Sequence, residues 1–364
     1  MSNERGVSQY TLSQIYFYLT EGCNLRCRHC WIAPKYQTEG NRYPALDLDL
    51  FKSIIGQAKP LGLTGVKLTG GEPLLHPQIK EILEYIQTQE LRLTVETNGV
   101  LCTPELAEKM AVCKDPFVSV SLDGADAETH EWVRGVEGCF NKATEGIRHL
   151  VTVGMRPQII MSLMRHNKDQ MERMVRLAER IGAGSVKFNI VQPTARGEKI
   201  YESGEALNIE ELVELGDWVE STLSTSTSLR VDYDHPLAFR PLGKMFGYNG
   251  DGCGVCGILG ILGVLAHGSY ALCGIGEVVP DLVFGHATTN PLEDVWNKSL
   301  VLVELRKGLP QRFEGICGDC LMKGLCLGSC LAQNYYQTMN IWAPYWYCQD
   351  AWKRGLFPET RKIR

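Results

Sequence analysis

Over residues 13–20, Ile15, Phe17 and Leu19 alternate with Tyr16 and Tyr18, the period-two pattern of a buried strand, and the run stops at Glu21-Gly22-Cys23. Runs of the same kind at 65–69, 91–97, 117–122, 158–163 and 185–191 predict five further strands. Between them apolar residues recur at helical spacing over 49–58, 77–87, 104–110, 142–150 and 168–181, several behind a polar or proline start. Parallel neighbours need crossovers, so six strand–helix repeats predict an α/β fold with a parallel sheet. The polar motifs fall at the C-terminal ends of the strands, the chemical face of a β/α barrel, and six repeats favour a partial (β/α)6 barrel over a closed eight-stranded one.

Past this region the texture changes twice. Residues 201–249 carry one more helix, 209–223, and a short strand near 229–233, and read as a bridge. From Asp251 the chain is rich in Gly and Cys, with Gly260, Gly263 and Gly268 giving a permissive backbone. The expected plan is a barrel over 1–200, the bridge, a cysteine-rich domain over 250–350 and a tail over 351–364.

At 364 residues the chain can bury one large core and still carry a smaller unit. A formal net charge of -5 gives no basic face for a nucleic-acid partner. The first nine residues are polar and lack a secretory signal, and the longest apolar run, 258–266, is far short of the ~20 residues that span a bilayer. A cytoplasmic protein with no membrane partner is expected. In that compartment fourteen cysteines point to metal and not to disulfides.

Eleven of the fourteen fall into two blocks. Cys23, Cys27 and Cys30 form a C-x3-C-x2-C run, and three soft thiolates on one loop can hold three irons of a [4Fe-4S] cube with the fourth open to a chelating ligand. A zinc site completed by His29 is the alternative. Cys253, Cys256, Cys273, Cys317, Cys320, Cys326, Cys330 and Cys348 form the second block, for which two zinc-ribbon-like sites are the alternative. Cys102, Cys113 and Cys139 read as small buried apolar residues, any of which could also donate hydrogen to a radical.

The first block, at the end of a first strand, resembles the cluster loop of the radical S-adenosylmethionine (SAM) superfamily. In that family the open iron binds the amino and carboxylate groups of SAM, and an electron from a reducing partner such as flavodoxin or ferredoxin yields a 5'-deoxyadenosyl radical. Gly70-Gly71-Glu72-Pro73 after the second strand resembles the motif that receives the SAM ammonium: the glycines admit the backbone and Glu72 offers acceptor oxygens. A plain Gly-Gly turn is the alternative. Thr97 and Asn98 at the third strand and Ser121 and Asp123 at the fourth resemble segments facing the ribose and methionyl portions, against ordinary capping and turn roles. Arg134 is a candidate partner of the SAM carboxylate or a surface cation, and Asn189 and Gln192 are candidates for the adenosyl end. His29 stands where many relatives carry an aromatic residue.

The second block resembles the SPASM extension of the same superfamily. The resemblance implies two auxiliary [4Fe-4S] clusters, one on Cys253, Cys256, Cys273 and Cys330 and the other on Cys317, Cys320, Cys326 and Cys348, making three clusters in all. Cys253 is the weakest of these assignments; without it the nearer cluster has an open iron. The resemblance further implies an enzyme that modifies a ribosomally made precursor peptide. The opening TEGCNLRCRHCWIAPK is most similar to maturases of nif11-like or nitrile-hydratase-leader precursors, among which tyramine-excising splicing to an α-keto-β-amino acid occurs. Thioether formation, epimerisation and formylglycine formation in a sulfatase are the alternatives, with an iron–sulfur electron carrier as the non-enzymatic one. Asp232, Asp234 and His235 are weak candidates for a catalytic base. Because the first strand starts near Ser13, a separate small leader-peptide-recognition protein is expected as a partner beside the precursor peptide.

Overall fold

Alternating apolar and polar side chains make strands with one buried face, and the computed structural model of the chain, which describes residues 10–246 and 256–363, contains the six expected strands. They are β1 (Gln14–Tyr18), β2 (Gly65–Thr69), β3 (Arg92–Thr97), β4 (Lys114–Ser121), β5 (Gln158–Leu163) and β6 (Ser185–Ile190), paired in parallel in chain order. The crossovers carry α1 (Leu48–Ala58), α2 (Ile79–Thr88), α3 (Pro104–Ala111), α4 (Ala127–Arg134), α5 (Cys139–Thr152) and α6 (Met171–Ile181). The helix α4, which the periodicity did not announce, has 8 residues and buries Thr129, His130 and Arg134 beside Val133.

Several crossover helices begin or end for a local reason. Asp47 caps α1 by accepting from the Leu50 amide at 2.9 Å, Thr103 caps α3 ahead of Pro104, and Asp126 caps α4 through the Thr129 amide at 3.0 Å. Gly135 (φ 72°) and Gly182 (φ 82°) close α4 and α6 in the left-handed region. The outward pleat carries Phe17, Val66, Leu68, Leu93, Val95, Val120, Ile159, Met161, Val186 and Phe188, all buried in the same core as Phe51, Ile82, Met110, Ile147 and Met174 of the helices. At roughly 1.5–3 kcal/mol for each large side chain, this outer layer supplies most of the driving force for folding. The inward pleat is different: Tyr16, Tyr18, Lys67, Thr69, Thr94, Glu96, Ser119, Ser121, Ser162, Lys187 and Asn189 line the lumen.

The sheet does not stop at six strands. β7 (Arg230–Tyr233), in the expected bridge, adds in parallel to β6, after α7 (Ile209–Ser221) with its Asn208/Glu211 capping box. At the other edge β8 (Ile261–Val264) pairs in parallel with β1, and β9 (Ser269–Ala271) and β10 (Val283–His286) continue antiparallel. Among the described residues ten strands therefore form one mixed sheet. The first part of the Cys-rich region is thus hydrogen-bonded to the barrel, and the rest folds over it as short helices, the last of which, α8 (Trp346–Lys353), packs against α7. Among the described residues no helix is long and apolar enough to cross a membrane.

Candidate active site at the barrel mouth

The loop after β1 is clamped at both ends. Gly22–Cys23 pairs with Lys35–Tyr36, the Arg26 and Arg28 amides donate to the Arg134 and Val133 carbonyls at 3.0 and 2.9 Å, and Arg196 reaches the carbonyls of Cys27 (3.1 Å) and Pro34. Cys23 and Cys27 are buried and Cys30 is half-buried. Burial, and then the neighbouring thiols, raise the Cys23 and Cys30 thiols. Such groups take the thiolate form only beside a cation, so the three-sulfur donor set fits an iron–sulfur cluster. The Leu25 amide and the Arg134 guanidinium each donate to a cysteine sulfur, of Cys23 and Cys27, at 3.4 Å.

Gly70 and Gly71 let two backbones meet. Gly70 has φ +125°, and a Cβ on Gly71 would lie 2.0 Å from the Gly22 carbonyl oxygen. The Gly71 and Glu72 amides donate to the Thr20 and Gly22 carbonyls at 2.9 and 3.0 Å, and Pro73 starts the next turn. The Glu72 carboxylate accepts from the Leu74 amide (3.1 Å), the Thr97 hydroxyl (2.6 Å) and the Asn98 amide (2.8 Å). The oxygens that the sequence reading offered to an ammonium are thus already engaged, joining the end of β2 to that of β3. Asn98 in turn donates to Asn24 at 2.7 Å and lies 3.9 Å from the Cys23 sulfur.

At the end of β4, Asp123 is fully buried and its carboxylate forms an ion pair with Arg134 at 2.7 Å. Burial works to raise its pKa, but Arg134 and then His29, 3.8 Å away, more than offset this and hold it below the usual range. Asp123 also accepts from the Ser162 amide at 2.7 Å. Arg134, read from sequence as a carboxylate partner, is therefore buried between an acid and the Cys27 thiol, not on the surface. Burial lowers His29 to about 4 and His130 to about 3, so both rings are neutral at pH 7. His29 Nδ1, Asn189 Oδ1 and Thr194 Oγ1 are buried polar atoms without a protein partner. Orphans of this kind cost about 1–3 kcal/mol each, and a polar adenosyl ligand at the mouth would supply partners. Ser121 lies on the same inward face one strand-end away. Gln192 bonds instead to Tyr345 and Trp346, tying the end of β6 to the C-terminal region.

Deeper in the lumen Lys67 pairs with Glu96 at 2.7 Å and Lys187 with Asp234 at 3.0 Å. Of the three candidate bases in and just after β7, only His235 leaves the lumen side. Asp234 faces Lys187, Asp232 pairs with Arg230 at 3.1 Å, and His235 turns to the opposite side, where its Nε2 meets Glu220 at 3.2 Å under α7.

The second cysteine block divides into two places. Cys317, Cys320, Cys326 and Cys348 line one apolar cavity with Phe313, Ile316 and Phe357. After burial as the leading cause, Cys330 and Cys256 raise the Cys273 thiol and Cys256 raises that of Cys330, which puts the three near one another. The fourth expected ligand there, Cys253, lies outside the described residues. Among the described residues no three His, Cys, Asp or Glu side chains meet closely enough to hold a single metal ion. Cys113 is a core residue that donates to carbonyls of Lys109 and Leu83, and Cys102 is buried in the same core. Cys139 is different: it packs with Cys23, Leu25 and Cys27 and lines a cavity of about 780 Å³ outside the cluster loop. Sequence reading also missed Thr20, Asn24, Arg196, Lys67 and Glu96. Only the even spacing of Lys67 with Thr69, and of Glu96 with Thr94, along strands whose other face is apolar could have placed the latter two in the lumen.

Two family descriptions match the chain: the radical SAM superfamily over residues 17–178 and the iron–sulfur cluster-binding SPASM domain over 253–321. An AdoMet-dependent heme synthase of Methanosarcina barkeri is 30% identical over 92% of this chain and 95% of its own. The mycofactocin maturase MftC of Mycolicibacterium smegmatis is 29% identical over 94% and 84%. The fold is also that of Streptococcus suis SuiB, solved bound to S-adenosylmethionine, with a TM-score of 0.71 at 17% identity over 93% of this chain and 77% of SuiB.

Proposed function

We propose that this chain, which belongs to the radical SAM superfamily and is a radical SAM enzyme, modifies a ribosomally made precursor peptide inside its barrel. One observation carries this reading: a polar barrel interior, in which the Glu96 side chain is 40% exposed, has a three-cysteine loop at its rim and a second cysteine set across the sheet from Lys67. A peptide segment can enter such a lumen, whereas a packed barrel interior would exclude it. The 29% identity to a peptide maturase over most of both chains supports the same reading.

In this proposal Cys23, Cys27 and Cys30 hold the SAM-cleaving cluster. SAM lies against Gly70, Gly71, Pro73 and Asn98, with Ser121 and Asn189 toward its adenosyl part. Glu72 and Thr97 hold the turn that receives it, and the Asp123–Arg134 pair holds the loop carrying Cys27. When bound and reduced, the cluster with SAM supplies a radical that abstracts hydrogen from the substrate. The chain's own part is to keep that centre dry, to orient SAM, and to present the substrate between the two cysteine sets. Two auxiliary [4Fe-4S] clusters are assigned to Cys253, Cys256, Cys273 and Cys330 and to Cys317, Cys320, Cys326 and Cys348. The chemistry we favour is tyramine-excising splicing on a nif11-like or nitrile-hydratase-leader precursor, supported by the Thr20–Lys35 sequence; thioether formation, epimerisation and formylglycine formation are its competitors. A small leader-binding protein and a flavodoxin or ferredoxin complete the system.

A second reading is favoured by a specific observation, the 30% identity to a heme synthase across 95% of that protein. One experiment separates the two. Anaerobic incubation with SAM, reductant and a nif11-like or nitrile-hydratase-leader precursor peptide, with and without a small leader-binding protein, is followed by tandem mass spectrometry. A parallel incubation replaces the peptide with an iron-containing haem precursor and is read by absorbance. The peptide reading expects a SAM-dependent mass change on one core residue that Cys27→Ala abolishes, and the mass distinguishes splicing, thioether formation and oxidation. An unchanged peptide together with haem formation defeats it.

A further inference from the structure

A row of residues crosses the sheet from the lumen to the nearer auxiliary cysteines. Lys67 of β2 is in register with Tyr16 of β1, and Tyr16 with Gly263 of β8. A Cβ on Gly263 would lie 2.8 Å from the Cys273 Cα, so the missing side chain is what lets Cys273 fold onto that pleat. One residue further on, the Gly274 backbone rests on the Tyr18 ring, where a Cβ would come within 2.2 Å of it. The Lys67 ammonium lies over the Tyr16 ring, 4.3 Å from its centre, and is held by Glu96 at 2.7 Å. It is electrostatically coupled to both Cys256 and Cys273. Its side chain is 19% exposed. Even a half-buried cation is costly, and the outward face shows that this sheet is otherwise free to place apolar residues, so the ammonium needs a reason to be there.

We propose that Lys67 is a positioning residue that holds a fixed positive charge beside the nearer auxiliary cluster and raises its reduction potential, with Glu96 as the counter-charge that keeps the ammonium in place. The proposal rests on the reading that Cys256, Cys273 and Cys330 ligate a cluster. Adding one electron makes such a cluster more negative, so a nearby cation stabilises the reduced form and a nearby anion destabilises it. The Tyr16 ring lies under the ammonium on this path, so solvent screens the interaction only in part, with the Lys67 side chain 19% and the Glu96 side chain 40% exposed.

The test is a dye-mediated reductive titration of the reconstituted full chain followed by electron paramagnetic resonance, with iron content measured on each sample. The nearer cluster's signal is identified as the one lost in Cys273→Ala. Lys67→Met is expected to move that signal to lower potential and Lys67→Arg to leave it near the wild-type value. Glu96→Gln should move it the opposite way, to higher potential. The other clusters' signals should stay in place in all three variants. An unmoved potential in Lys67→Met overturns the inference, as does a shift of Lys67→Met and Glu96→Gln in the same direction, which is what general loosening would give. Should Lys67→Met bind less iron than the wild type, Glu96→Gln decides alone, and a potential that does not rise counts against the inference. A wild-type chain with no signal sensitive to Cys273→Ala removes the cluster reading and this inference with it, a result distinct from a signal that is present and does not move.

Discussion

Burial lifts the Glu72 carboxyl to about 7, although the Asn98 amide, the Thr97 hydroxyl and the Leu74 amide all face it and favour the charged form. The sign follows from linkage: with an ordinary value of 4.5, the native chain holds a proton that the unfolded chain has lost across this interval. Its stability contribution is full below pH 4.5 and is lost as pH rises through about 7, on the order of 3 kcal/mol at most. Glu72→Gln has no such titration. In urea unfolding of the iron-free chain, the stability of wild type relative to Glu72→Gln should fall between pH 4.5 and 7.5 and be flat below it; a constant difference would mean the carboxyl is not desolvated. At Asp123 the charge matters in the other direction. Asp123→Asn leaves the Arg134 guanidinium buried without its anion and should cost about 3–5 kcal/mol, part of which Asp123→Asn with Arg134→Met recovers; additive losses would show that the pair is not coupled. The letters placed both residues near the cofactor but not their partners. Glu72, Thr97 and Asn98 meet through a turn 25 residues away, and no local pattern announces a contact at that separation.

At the scale of elements, the six barrel strands were legible because each has an apolar face against helices, and alternation is the direct trace of that burial. Three strands in the cysteine-rich region were not. β8 carries Gly263 where a strand former would stand, and β9 and β10 are only three and four residues long, so β8 pairs because the edge of β1 is beside it, and β9 and β10 because the strand before each offers an edge, not from their own propensity. Glycine there answers to close approach, which gives a paired test. Gly71→Ala sets a Cβ against the Gly22 carbonyl oxygen, backbone against backbone, and should cut SAM binding by isothermal titration while sparing the C-terminal cysteines. Gly263→Ala should displace Cys273 and lower iron by about four per chain, one cube, with SAM cleavage at the first loop retained. If the two variants lose the same iron and the same activity, the two sites are not separately built.

For the whole molecule, the sheet joins the two cysteine blocks into one object. β1 is hydrogen-bonded to β2, whose following turn carries Gly70 and Gly71, and to β8, which packs under Cys273. Under the proposed function a substrate in the lumen would have the first cysteine loop above it and Cys273 beside it, whichever substrate enters. The cavity lined by Cys317, Cys320, Cys326 and Cys348 stands apart, walled by Phe313, Phe357 and Ile316. Its thiols are raised by burial first, with neighbouring thiols adding to the rise at Cys317 and Cys348, so a cation would be needed to hold them as thiolates. Three cubes imply about twelve irons and about twelve sulfides per chain after anaerobic reconstitution. Cys27→Ala should remove about four irons and all SAM cleavage, whereas Cys320→Ala should remove about four and leave SAM cleavage in place, because its cavity touches neither the first loop nor the lumen lysines. Zinc in place of iron in Cys27→Ala preparations, or loss of SAM cleavage in Cys320→Ala at unchanged iron in the first loop, would break that division of labour.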